Sequence, residues 1–273
     1  MVDQKDEHLL GQLREHGAVF IENLYDDEEL YIINSKIDSY FLERQEKDRA
    51  YVTGNELLEL NLLDKLIPAA LVTLFEQLLT QVDVYHCHIY ETAAGKNKSH
   101  IRGDRLDGWH RDIDCDTSDA TLNECLSLFL YLSPVNQGDG GFEIIPADHV
   151  SKTPDGQLSK TMVGPVGTVL LWNRTLWHRA TPNEGSTRRR VFKISVQPIN
   201  RENPFRNSED GKYLREKLFE NKNVRANLFG MNVDQSQDKS ALNIKTKPCL
   251  GDSAVHLNFW PRLKNRLLEV LGK

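Results

Sequence analysis

Val82-Asp83-Val84-Tyr85-His86-Cys87-His88-Ile89-Tyr90 is the stretch whose reading decides the fold. Valine, isoleucine and tyrosine crowd it, and these side chains fit the pleated surface of a strand. Downstream the same character returns in short runs. Strands are predicted at Leu126–Leu132, Gly141–Ile145, Thr168–Trp172 and Val191–Val196, with Gly, Pro, Asn or Asp punctuating every gap. Gly95 and its polar neighbours read as a loop. Upstream of Val82 the period changes. Gln4 to Glu15 reads as a short amphipathic helix with Leu9, Leu10 and Leu13 as its stripe, Gly17 stops it, and Ala18 to Ile21 suits a buried strand. Asp26-Asp27-Glu28-Glu29 opens a second helix, where acidic residues complement the dipole and Leu30, Ile33, Ile37 and Phe41 supply the buried face. Asn55 to Leu79 is mainly helical, broken at Pro68.

Helices followed by many short strands predict a mainly β protein with flanking helices. The form expected is a double-sheet jelly roll with the N-terminal helices packed on one sheet. One domain over 1–273 is expected, with a mainly helical part at 1–81, a jelly-roll core at 82–198 and a C-terminal extension at 199–273. After Pro198 the chain turns polar and irregular before a predicted helix from Pro261 to Leu271. The extension lacks apolar residues for its own core, so it is read as shaping or covering a site in the main body.

Composition narrows the function classes. With 273 residues, 39% hydrophobic and 27% charged, the chain has material for a sizeable core. A formal net charge of −6 and a pI near 5.9 argue against nucleic acid or an anionic membrane as a general partner, because phosphate binding needs a positive field. Cys87, Cys115, Cys125 and Cys249 form no C-x-x-C pair and no disulfide framework, so reduced thiols are expected. The polar, acidic start lacks the apolar stretch of a signal peptide, and no segment approaches a membrane span. A cytoplasmic protein is the expectation.

The chemistry centres on Gly108-Trp109-His110-Arg111-Asp112. His and Asp two positions apart on an extended segment face the same way. Imidazole and carboxylate together suit Fe(II), and a third ligand would complete a facial triad with open positions. An H-x-D pair alone equally describes a surface ion pair. Downstream features shift the balance. His178 follows the apolar run Thr168–Trp172 at a strand end; Asn183 comes next; Arg189, inside Arg188-Arg189-Arg190, enters the strand Val191–Val196. A planar guanidinium near the metal is what a dicarboxylate co-substrate needs.

On these blocks the chain resembles the phytanoyl-CoA dioxygenase family of Fe(II)/2-oxoglutarate oxygenases, over roughly residues 11 to 198. The resemblance runs through Gly17–Leu30, the Trp109–Asp112 segment, Tyr131-Leu132-Ser133-Pro134, Asp139–His149 and His178-Arg179-Ala180-Thr181-Pro182-Asn183 with the arginine run. It implies a double-stranded β-helix, a form of jelly roll. It also implies Fe(II) on His110, Asp112 and His178, with Arg189 holding the distal carboxylate of 2-oxoglutarate, since the family's arginine lies eleven residues past the distal histidine. Spacing selects Arg189, whereas alternation puts Arg190 on the apolar face of Phe192, Ile194 and Val196. Tyr90 or His88, and Tyr131 or Ser127, are candidates for the rest of the co-substrate. Ala147 stands where the family usually has Gly. Aspartate at 112 argues for hydroxylation or another oxidation and against halogenation, which in relatives needs a small residue there.

The implied activity is a dioxygenase that hydroxylates a small molecule with O2, releasing succinate and CO2. Arg102, Arg105, Arg111, Arg174 and Arg179 flank the iron segments. They read either as solvated surface or as a basic mouth for an anionic substrate. His86 and His88 read as polar pocket residues, Trp109, Trp172 and Trp177 as core packing, and Cys115 as a small buried residue. Two other readings stay open, a non-oxidative cupin-like metalloenzyme and a catalytically idle binding protein. Dependence on 2-oxoglutarate separates the first from an oxygenase, and anaerobic Fe(II) titration with 2-oxoglutarate decides the second.

Overall fold

A computed structural model describes residues 4–44, 48–79, 81–95, 107–113, 125–147, 154–232 and 245–248. Helix α1 (Gln4–His16) ends at Gly17, whose φ of +72° suits glycine and whose N–H closes on the Leu13 carbonyl at 2.9 Å. Strand β1 (Ala18–Glu22) follows, then α2 (Asp27–Leu42). A capping box starts α2: the Asp26 carboxylate accepts from the Glu29 N–H at 2.7 Å, and Glu29 accepts from the Asp26 N–H at 3.3 Å. Thr53 and Glu56 repeat the device where β2 (Arg49–Thr53) meets α3 (Gly54–Glu59). Short α4 (Leu63–Leu66) and then α5 (Ala69–Leu78), which begins just after Pro68, complete the helical part.

The strands β3 (Val82–Thr92), β4 (Leu126–Tyr131), β7 (Val169–Asn173) and β9 (Arg189–Pro198) form the middle of a seven-stranded antiparallel sheet. Its order is β10-β1-β7-β4-β9-β3-β2, with β10 at Lys245–Pro248. A smaller sheet, β6-β5-β8, is built from β5 (Phe142–Ile144), β6 (Lys160–Met162) and β8 (His178–Ala180). The two sheets enclose an aromatic layer in which Phe142 meets Phe129 at 5.0 Å and Trp172 at 4.7 Å between ring centroids. This is the expected jelly roll.

The large sheet has two different faces. Leu128, Leu130, Phe192, Ile194 and Val196 pack with Leu30, Ile33, Ile37 and Phe41 of α2 in the main core. Each such fully buried side chain contributes about 1.5–3 kcal/mol. The other face looks toward the small sheet and carries polar residues. Direct cross-strand partners share a face, so the pairs His86↔Ser195, His88↔Lys193, Tyr90↔Val191 and Thr92↔Arg189 line that inner side. A register shift between Val84 and His86 marks a bulge that brings Tyr85 beside this set.

Some elements depart from expectation. Strands β2, β6 and β8 had no strong signal: β2 buries only Ala50 and Val52, and the other two are three residues long. Among the described residues the segment after Pro198 is not irregular. It forms α6 (Pro204–Asn207) and α7 (Glu209–Glu220), and Leu214 and Leu218, four residues apart, enter the main core with Ala226, Leu228 and Phe229. Arg206 and Asn203 both donate to the buried Asp83 carboxylate, tying this segment to the start of β3. The predicted helix Pro261–Leu271, together with Arg102, Arg105, Cys115 and His149, lies outside the described residues.

Gly17 joins the helical part to the turn that carries part of the candidate site. Its carbonyl accepts from the Asn173 N–H at 2.8 Å, and an added Cβ would lie 2.8–3.1 Å from the Leu176 side chain. Gly17→Ala is therefore expected to cost about 1–2 kcal/mol through the positive φ alone. Thermal unfolding should show a midpoint several degrees lower; an unchanged midpoint would contradict this account of the junction.

Candidate metal centre

The chain approaches the site through Asp107 and Gly108, at φ +55° and +84°, and then extends through His110 to Asp112. His110 and His178 exchange both backbone hydrogen bonds, at 3.0 and 2.9 Å, as a β-bridge on the edge of the small sheet. Two residues on, the Asp112 N–H donates to the Arg174 carbonyl at 3.1 Å. The turn between β7 and β8 is held by the Asn173 side chain, which accepts from the N–H and the hydroxyl of Thr175. Segments some seventy residues apart in sequence are thus stitched together by their backbones before any side chain is considered.

The side chains follow from that stitching. His110 Nδ1 lies 2.8 Å from the Gly108 carbonyl and His178 Nδ1 2.9 Å from the Leu176 carbonyl. A carbonyl only accepts, so each Nδ1 carries the proton, and in the neutral ring each Nε2 keeps its lone pair. Those Nε2 atoms lie 3.8 and 3.7 Å from Asp112 Oδ1. The three donors fall within 4.8 Å of one another, inside the reach of one ion bound at about 2.0–2.2 Å from each. The aromatic layer fixes the distal imidazole: Trp172 lies 4.6 Å and Phe142 5.4 Å from the His178 ring centroid. On the opposite face of the same strand, Arg179 binds Glu143 at 2.6 Å and Asp107 at 2.7 Å and covers Trp109, clamping the entry turn to β8.

Asp112 is electrostatically prepared as an anion. Burial alone would raise its carboxyl, but a hydrogen bond from His178 Nε2 when that atom carries a proton, and then Lys193 and Arg174, outweigh it and hold the group well below the usual carboxylate range. Arg174 Nε lies 3.3 Å and Lys193 Nζ 3.9 Å from Oδ2, leaving Oδ1 toward the two histidines. Neither cation was singled out from sequence as a partner of Asp112. Arg174 is not solvated surface; its side chain is 4% exposed. Lys193 had a readable signal, since it lies two positions from Val191 and four from Arg189 on one face of β9.

Arg189 lies at the head of β9 on the inner face and is buried. Its Nη1 donates to the Gly140 carbonyl and its Nη2 to the Tyr90 hydroxyl at 3.3 Å, while Nε is buried without a hydrogen-bond partner among the described residues. An orphaned guanidinium donor inside a protein is what a bound carboxylate would satisfy. Arg190 does share the face of Phe192, Ile194 and Val196, as alternation requires. That face packs on α2, however, and Arg190 spends its donors on Glu91, Asn34 and Asp38. Tyr90 touches Arg189, and His88 lies across the ladder from Lys193. The Tyr131 hydroxyl donates to the Met162 carbonyl, and the Ser127 hydroxyl pairs with that of Ser195.

His86 and His88 are half-buried on the inner face, with rings 5.7 Å apart. Burial first, then Lys193 and Arg174, pushes His86 down to about 3, against the opposing Asp112; burial, Lys193, His86 and Arg49 likewise hold His88 well below its ordinary value. The unfolded chain, titrating near 6.5, binds more protons than the fold below that pH. This contribution to stability is complete above pH 6.5 and is lost as pH falls toward 3. Thermal unfolding across that window should show His86→Gln with a shallower pH slope than the parent; an identical slope would contradict it.

The model of the family described as "Phytanoyl-CoA dioxygenase (PhyH)" matches residues 13–191. The chain belongs to the phytanoyl-CoA dioxygenase family. Membership sets it among oxygenases that work with iron and 2-oxoglutarate, and the donor set His110, Asp112 and His178 fits iron. No curated protein matches the chain. Among solved structures it is similar to EctD from S. alaskensis with 2-oxoglutarate and 5-hydroxyectoine, at 14% identity and a TM-score of 0.54, covering 70% of this chain and 76% of that one. It is also similar to the non-heme alpha-ketoglutarate-dependent epimerase SnoN from nogalamycin biosynthesis, at 16% identity and 0.51, covering 71% and 82%. SnoN in complex with Fe3+, alpha-ketoglutarate and nogalamycin RO matches at 15% and 0.50, over 71% and 83%. At these identities the likeness is one of fold.

Proposed function

We propose that this family member is an Fe(II)- and 2-oxoglutarate-dependent dioxygenase that hydroxylates an unactivated C–H bond of a small metabolite, with release of succinate and CO2. The observation that carries this reading is the convergence of the two Nε2 atoms on Asp112 Oδ1, with the buried Arg189 on the inner face of the same jelly roll. In this reading His110, Asp112 and His178 hold the iron and Arg189 holds the distal carboxylate of 2-oxoglutarate, with Tyr90 beside it. When bound, iron and the 2-oxo acid together supply the activation of O2 and the oxidising power for C–H cleavage. The chain's own residues do the rest. The two backbone carbonyls keep each Nδ1 protonated, Lys193 and Arg174 keep Asp112 an anion, and Trp172 with Phe142 keep water from the His178 side.

The proposal reads residues 1–273 as one domain, because the core that receives α2 also receives α7. It places the protein in the cytoplasm, in keeping with the buried free thiol of Cys87. Among the described residues no helix is long and apolar enough to cross a membrane. Hydroxylation is separated from epimerisation by the product. With 2-oxoglutarate, O2 and a mixture of small metabolites, the expected product is one oxygen atom heavier than its precursor and formed one-for-one with succinate. A product of unchanged mass would replace hydroxylation by isomerisation, and turnover indifferent to 2-oxoglutarate would refute the class.

A further inference from the structure

Beside Asp112, on the side away from Arg189, lies a cavity of about 250 Å³ bounded also by Tyr85, Arg174, Gln197, Arg201 and Glu202. Gln197 and Arg189 are eight residues apart on β9, about 27 Å along an extended strand. This space is therefore not where Arg189 would hold a co-substrate; it lies at the opposite end of the inner face, and Asp112, near Lys193, stands between the two.

Its inner wall is built around Arg174. The bulge in β3 sets the Tyr85 ring 4.3 Å from the Arg174 guanidinium carbon, and Nε faces Asp112 Oδ2 at 3.3 Å. A second nitrogen of the fork, Nη1, is buried and has no hydrogen-bond partner among the described residues. Leaving a charged donor unsatisfied inside a protein is costly, so a site that keeps one is built for an acceptor. The outer wall is the turn after β9. The Arg201 N–H closes on the Pro198 carbonyl at 3.1 Å, and the buried Gln197 amide donates to the Glu202 carbonyl at 2.9 Å. That fixes Arg201 and Glu202, both exposed, where the cavity meets solvent.

Size and charge say what fits. Drug-sized ligands occupy about 300–1,000 Å³, so this space takes something smaller. Its wall carries two guanidiniums and two carboxylates, a balance that favours a ligand with both signs over a phosphate ester with only one. We infer that this cavity is the substrate site and that it takes a small zwitterion of the amino-acid type, its carboxylate on Arg174 and Arg201 and its ammonium toward Glu202. The inference rests on the function proposed above and adds to it the substrate class and the residues that select it.

The full chain, loaded anaerobically with Fe(II) and 2-oxoglutarate, is titrated with free amino acids and with their methyl esters and N-acetyl derivatives. Two signals are read, the visible band of the loaded iron and the thermal unfolding midpoint. Free amino acids of one kind should perturb the band and raise the midpoint, with ester and acetyl forms about tenfold weaker or worse. Arg201→Leu should raise the half-saturating concentration of the best amino acid about tenfold. Glu202→Gln should abolish the preference for the free amine over the N-acetyl form. If the band forms yet no free amino acid moves either signal, the inference falls and the proposed function stands. Esters that bind as tightly as acids, or an Arg201→Leu variant with unaltered half-saturation, also overturn it. If no band forms, both fall.

Discussion

His110→Ala or Asp112→Ala should reduce 2-oxoglutarate turnover to background, the largest single effect expected of this chain. Each variant removes one of three donors, and two protein ligands hold a ferrous ion far less firmly than three. The two losses differ in kind. His110→Ala removes an imidazole whose backbone remains bridged to His178, so the fold should survive with a melting midpoint close to the parent's. Asp112→Ala in addition leaves Arg174 and Lys193 without the carboxylate they face, so it should also lose stability, by about 1–3 kcal/mol. Succinate release measured beside thermal unfolding checks both points. Parent-like succinate formation in either folded variant would refute the ligand assignment.

Arg189→Leu should weaken 2-oxoglutarate binding by roughly 30- to 1,000-fold, the range of about 2–4 kcal/mol for truncating one side of a buried charged contact. Fe(II) affinity in the absence of 2-oxoglutarate should change little, because no contact between Arg189 and the three donors is seen. Arg189→Lys should recover only part of the loss, since an ammonium keeps the charge without the fork that meets a carboxylate at two points. Titration of each variant with the co-substrate and, separately, with the metal distinguishes these outcomes. Equal loss of both affinities would mean that Arg189 supports the whole site and does not bind the co-substrate's carboxylate.

How much of this could be read from the chain depended on what each residue's neighbours say. The helices announced themselves through caps and apolar spacing, as with Asp26, Glu29 and the Leu30–Phe41 face. The central strands did so through valine, isoleucine and aromatic residues. His110, Asp112 and His178 were legible because H-x-D on an extended segment and a histidine after an apolar strand form a pattern with few other uses. Arg189 against Arg190 was not settled by alternation. The rule assumed that the apolar face of β9 looks at the site, whereas that face packs on α2 and the polar one looks inward. The partnership of Arg174 and Lys193 with Asp112 was missed because that carboxylate approaches them only through tertiary structure, although the place of Lys193 on the face of Arg189 and Val191 could have been read. Strands β6 and β8, three residues each, are too short for any period to show. The helix α7 could have been found, since Ser208 as its cap and Leu214 with Leu218 are ordinary signals that the polar residues around them obscured.

Anaerobic titration of the metal-free protein with Fe(II) in the presence of 2-oxoglutarate tests the central claim most directly. One equivalent of iron should bring up the weak visible charge-transfer band, and His178→Ala should fail to show it. A parent protein that binds no iron, or that takes up iron and 2-oxoglutarate without the band, would contradict the account.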